Sequence, residues 1–151
     1  MRDKRFVAEH RGGSLAKVQH YQLIEWACDC AQHVSQLFGS RMYVRLQRAL
    51  DVARQWKNGR ASVGDCRKAS VGAIWVANES SNATAITVAR SIGHAVATAH
   101  MADHSLRAAW YAMKAVKNAG GSLEMERQWQ DDQLPPEIQS LVLTARKSRN
   151  L

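Results

Sequence analysis

The stretch Ala83-Thr84-Ala85-Ile86-Thr87-Val88-Ala89-Arg90-Ser91-Ile92-Gly93-His94-Ala95-Val96-Ala97-Thr98-Ala99 decides the fold. Ile86, Ala89, Ile92, Val96 and Ala99 recur at helical spacing, and Asn82 stands in front of them as an N-cap. The small residues between them, with Gly72 and Gly93, predict helices that approach closely at the centre of the molecule. After Ala99 the helix either continues or restarts with Asp103 as a new N-cap, and runs to Asn118 before Gly120-Gly121. Upstream, Ser62 predicts the cap of a helix reaching Ser80, with Asp65 in its first turn. Before that, Met42, Leu46, Ala49, Leu50, Ala53 and Trp56 form the stripe of a helix over 41–57, stopped by Asn58-Gly59. Ser14 is the expected cap of the first helix, which carries Val18, Ile24, Cys28, Ala31 and Val34 and ends at Gly39. Downstream, a sixth segment covers 123–133, and Pro136 suits N1 of a last helix to Lys147. No strand pattern and no fixed repeat is visible. The expectation is an all-α fold: a single compact bundle of six or seven helices with short loops over residues 14–151, preceded by a basic N-terminal arm over 1–13. Trp26, Trp56, Trp75, Trp110 and Trp129, one per segment, are expected to supply much of the core.

Composition agrees. The 151 residues, with 46% hydrophobic and 23% charged, suit one globular domain and exclude a disordered chain. Two prolines, adjacent at Pro135 and Pro136, and 23 alanines argue against a β-sandwich or barrel. No apolar run is long enough to span a bilayer. The charged start from Met1 to Arg11 lacks the apolar core of a signal peptide, so a cytoplasmic location is expected. Cys28, Cys30 and Cys66 read as free thiols, since two residues apart on a helix is a poor chelating or redox spacing.

The net charge of +8 is unevenly spread. Residues 41–60 carry six basic groups and one acid, and Arg41, Arg45 and Arg48 share a face; residues 121–140 are acidic. The arginine stripe raises nucleic-acid binding as a reading. No recognition helix or aromatic platform accompanies it, so a nucleic-acid adaptor ranks low. The two charged segments are alternatively expected to face each other, within the fold or between two copies in a homodimer.

The densest polar cluster lies at His94, His100, Asp103 and His104. On an unbroken helix His100, Asp103 and His104 converge, a spacing that can bind a transition metal. His94 would then point elsewhere, and a further ligand would have to come from Asp29, His33 or His10. Helix capping and buried hydrogen bonding compete with this metal reading, as does contact with a partner. Tyr111 and Lys114 extend the stripe toward a surface suited to an anionic group, or form an aromatic core edge and a solvated lysine. The sequence holds no nucleophile elbow, phosphate loop or zinc-type cysteine pattern, so nothing compels an enzyme and no cofactor is expected; a metal-dependent enzyme or a metal or small-molecule binder built on His100, Asp103 and His104 is the alternative reading.

Four stretches carry a resemblance: Ala8-Glu9-His10-Arg11-Gly12-Gly13-Ser14-Leu15, Leu23-Ile24-Glu25-Trp26-Ala27-Cys28-Asp29-Cys30-Ala31, Gly64-Asp65-Cys66-Arg67-Lys68-Ala69, and Gly93 through His104. Together with Tyr111, Lys114 and the Trp129-to-Pro135 end, they resemble the immunity proteins of bacterial polymorphic-toxin systems, the mostly helical type five. That resemblance implies a protein that binds and neutralises a cognate toxin, without turnover. It marks His10, Asp29, Arg67, His94, His100, Asp103 and His104 as special positions, to which the reading of the residues adds Arg11, Tyr111 and Lys114. Relatives often carry a histidine near Ile74-Trp75, and this chain has none there. Complementary fields speed association, so a +8 chain suits an acidic or weakly charged toxin better than a basic nuclease.

Overall fold

The computed structural model describes residues 2–39 and 44–151. Seven α-helices follow in chain order: α1 (Lys17–Val34), α2 (Val44–Lys57), α3 (Val63–Glu79), α4 (Ala83–Ala97), α5 (His104–Asn118), α6 (Leu123–Asp132) and α7 (Pro136–Arg149). Among the described residues there is no β-strand, and the architecture is an all-α bundle. Arg41 and Met42, counted with the second helix by periodicity, lie outside the described residues.

Most helix starts obey local chemistry. Ser62 Oγ accepts from the Asp65 N–H at 3.0 Å, and Asp65 Oδ2 accepts from the Ser62 N–H at 2.9 Å, a reciprocal capping box. Asn82 and Ser122 cap α4 and α6 by accepting from Ala85 and Met125. The first helix differs from expectation. Ala16, not Ser14, holds its N-cap position, and the Gln19 side chain accepts from the Ala16 N–H. Ser14 instead bonds the Lys4 carbonyl, because the next residue, Leu15, is drawn into the core. At its other end α1 stops at Val34, and a tighter turn, Ser35–Phe38, carries the chain to Gly39 at φ +134°.

Helix α4 is the axis, packed against α1, α2, α3 and α5. Its Val88, Ala89, Ile92, Ala95 and Val96 have no contact with solvent. Small residues let the neighbouring helices close in: the Ser70 hydroxyl donates to the Gly93 carbonyl at 2.9 Å, and Ser91 donates to Ala108 at 2.8 Å. Gly72 does not belong to this contact as expected, for a Cβ there would meet nothing within 4 Å. The tryptophan expectation also needs correction. Trp26 is fully buried, Trp56, Trp110 and Trp129 are half-buried, and Trp75 is 58% exposed. Beyond Trp26, alanines and aliphatic side chains fill the closely packed centre.

Among the described residues the opposed charges do not pair with each other. The cations of α2 pair with α1 and α3: Arg54 with Asp29 at 3.5 Å, Lys57 with Glu25, and Arg45 with Glu79 at 3.0 Å. The acids of α6 turn to His33 and Arg146, Glu126 at 2.7 Å and Asp131 at 2.9 Å. Arg146 is buried; it also donates to Gln130 Oε1 at 2.6 Å and lies over the Trp26 ring, whose indole N–H donates to the Gln130 carbonyl. This network ties α6 and α7 to α1.

Residues 2–16 make two short turns, Lys4–Phe6 and Glu9–Arg11, and pack on the bundle through buried Phe6 and Leu15. Leu15 N–H bonds the Val7 carbonyl and Glu9 N–H bonds the Leu15 carbonyl. A Cβ at Gly13 would overlap the Val7 carbonyl, so this crossing requires glycine. Asp3 holds Arg149 at 3.3 Å, and that guanidinium covers the Phe6 ring.

Candidate functional site: a basic cleft and an apolar helix face

The helix that would have joined His100, Asp103 and His104 is broken. α4 ends at Ala97, residues 98–103 turn, and α5 begins at His104. Thr98 turns its hydroxyl back to the His94 carbonyl at 3.1 Å, and Asp103 makes no capping bond because it reaches Arg149 at 3.4 Å. The turn folds the end of α4 against the start of α5. His94 and His104, which one straight helix would separate, meet with Nδ1 to Nδ1 at 2.9 Å. Tyr111 stacks on His94 at 5.3 Å, and Arg90 lies over the Tyr111 ring. Burial, then the neighbouring His104 and the Arg107 and Arg90 cations, push His94 down to about 4. His104 is also lowered, mainly by burial.

His100 turns the other way, into a cleft beneath the N-terminal residues. Arg67 Nη2 of α3 lies 2.7 and 3.1 Å from its two ring nitrogens. Burial, then Arg67, Arg11, His104 and Arg2, hold His100 below the usual histidine value. The trio of expected metal ligands is therefore divided between two places. Among the described residues, no group of three or more His, Cys, Asp or Glu side chains is placed to hold a metal ion.

The cleft measures about 640 Å³ and brings together five of the residues singled out in the sequence: His10, Arg11, Arg67, His100 and Asp103. The short turns of the N-terminal residues carry the first two, α3 carries Arg67, and the turn after α4 carries the last two. Arg2, Lys17, His20, Tyr21 and Trp56, none of them singled out for function in the sequence, also line it. His20 Nε2 is fixed against the Thr98 carbonyl at 2.6 Å, and its ring packs 5.0 Å from Trp56. The other candidates lie apart. Asp29 is tied to Arg54, and the Lys114 ammonium sits 5.2 Å over Trp110.

A second surface starts at the cleft's edge. On α3, Arg67, Val71 and Ile74 follow one another at helical spacing, with Trp75 beside them. Val71 is 52%, Ile74 46% and Trp75 58% exposed. The opposite face of α3, through Cys66, Ser70, Ala73 and Ala77, makes its core contact. Between α2 and α3 runs a groove of about 440 Å³ whose polar lining includes Arg45, Arg48, Arg60 and Lys68.

A protein-family profile described as "Imm-5 like putative immunity protein" matches residues 13–137, most of the chain. The chain belongs to this family. No curated protein and no solved structure matches it. The matched span takes in α1 to α6 and the start of α7, with every residue of the exposed α3 face. In this family member no described helix is long and apolar enough to cross a membrane.

Proposed function

We propose that this family member neutralises a bacterial toxin in the cytoplasm by binding it, with no turnover, and that α3 is the face that docks. The observation that carries this reading is the strip Val71, Ile74 and Trp75, three large apolar side chains left in water on one helix face. Contiguous exposed apolar surface marks interaction sites, and tryptophan is among the residues enriched where a few side chains carry most of the binding energy of an interface. Its surroundings choose the partner. Arg67 and Lys68 on α3, with Arg45, Arg48 and Arg60 across the groove, form a basic rim, offset by the acids Asp65 and Glu79 alone on that helix. A toxin surface with an apolar pocket and an acidic rim fits it, in keeping with the +8 charge.

The test is a pull-down from the native host with tagged protein, in the presence of nuclease and a chelator. One stoichiometric protein partner with a toxin-like domain is expected, released by Trp75→Ala or Lys68→Glu and weakened by salt. A partner that both variants retain removes α3 as the docking face. The absence of any protein partner from cells expressing a candidate toxin removes the immunity reading itself.

A further inference from the structure

Four permanent cations line the cleft beneath the N-terminal residues: Arg2, Arg11, Lys17 and Arg67. Each rests on a neutral group. Arg2 Nη2 lies 3.3 Å from Met101 Sδ, and Arg11 Nη1 donates to the His100 carbonyl at 3.4 Å. Lys17 sits 5.8 Å over the Tyr21 ring, and Arg67 contacts the His100 imidazole. Among the described residues none of the four pairs with a carboxylate, whereas Arg45, Arg54, Lys57 and Arg146 elsewhere all do. The cleft's own acids are Glu9 and Asp103, and Asp103 is already engaged by Arg149. Like charges gathered in a concavity repel one another, and an entering anion relieves that repulsion without any ion pair having to break.

The remaining wall is aromatic. Trp56 meets Tyr21 edge-on at 5.2 Å and His20 at 5.0 Å, so flat rings flank the cations. A volume of about 640 Å³ falls in the range of sites for small organic ligands and far exceeds what one inserted carboxylate side chain would fill. We propose that the cleft is a binding site for a small organic phosphate of mononucleotide type. Its phosphate lies on the guanidinium groups of Arg67 and Arg11, and its flat ring lies against Trp56 and Tyr21. This site goes beyond toxin binding and does not depend on it.

Isothermal titration of the purified full chain at low salt tests the site, with adenosine monophosphate, adenosine and inorganic phosphate as probes. Adenosine monophosphate is expected to saturate one site, with each half-ligand about tenfold weaker or more. Arg67→Gln and Trp56→Leu should each weaken it by about tenfold, while Lys117→Ala, at the far end of α5 from the cleft, leaves it unchanged. Arg67 is exposed, so Arg67→Gln keeps the fold even if Trp56→Leu does not. No saturable heat with adenosine monophosphate overturns the proposal. So does binding that Arg67→Gln leaves intact, or inorganic phosphate binding as tightly as the nucleotide.

Discussion

Arg146 and Arg67 show how differently one chain can treat the same side chain. Arg146 is 4% exposed and spends its guanidinium on Asp131, on Gln130 and on the face of Trp26, all within the chain. Arg67 faces the cleft, against a histidine ring crowded by further cations. The first arrangement is closed: burial lowers the Arg146 pKa, Asp131 chiefly opposes that, and the one guanidinium nitrogen without a partner, Nε, is buried out of a visitor's reach. The second is open, with donors assembled and no anion supplied. Net charge alone does not separate the two, because both add to the +8. The partner of each cation does.

Breaking the closed arrangement should have the largest effect. Arg146→Ala leaves Gln130 Oε1 without its donor and Asp131 without its cation, and is expected to cost about 3–5 kcal/mol in urea unfolding. A loss below about 1 kcal/mol would show that the network is ornamental and that packing alone holds α6 and α7.

An intermediate effect is expected at the His94–His104 pair, whose burial disfavours the charged form of either ring. His94 is lowered in the fold from 6.5 to about 4, so the unfolded chain binds the extra proton first. Stability is therefore full above pH 6.5 and is lost as pH falls toward 4, by about 3 kcal/mol for this residue. His94→Phe keeps the stack on Tyr111 and cannot take a proton. Its unfolding free energy should depend less on pH than that of the parent across this window, and equal slopes would show that the pair does not sense acid.

The smallest effect on stability belongs to the open arrangement. Arg67→Gln removes one like charge from a crowded cleft and breaks no ion pair, so its thermal midpoint should stay within the change expected of about 0.5 kcal/mol. A large destabilisation would make Arg67 a structural residue like Arg146 and erase the contrast.

What the sequence made legible follows the range of the interactions involved. The capping box of Ser62 and Asp65, the Asn82 cap and Pro136 at N1 all depend on residues within three positions, and the periodicity of α4 needs only its own chain. The cleft draws on the first turns, α1, α2, α3 and the turn after α4, so no window of sequence contains it. The meeting of His94 and His104 depends on the turn over 98–103 that folds α5 back against α4, and the sequence left open whether the helix continued there or restarted at Asp103. Trp75 is a residue whose position and type point opposite ways. It lies two residues from buried Ala73, which puts it on the far side of α3, and its residue type outweighed its position.

The three thiols have a practical consequence. Cys28, Cys30 and Cys66 are buried, and burial pushes Cys28 up to about 12, Cys66 up to about 11 and Cys30 well above its ordinary value. Alkylating reagents act on thiolates, so the native chain should stay silent toward maleimide at neutral pH. A single cysteine placed at Val71 would then be the one position to label, with no native cysteine removed. A dye or spin probe there would report directly when α3 is covered, in lysate as well as in purified samples.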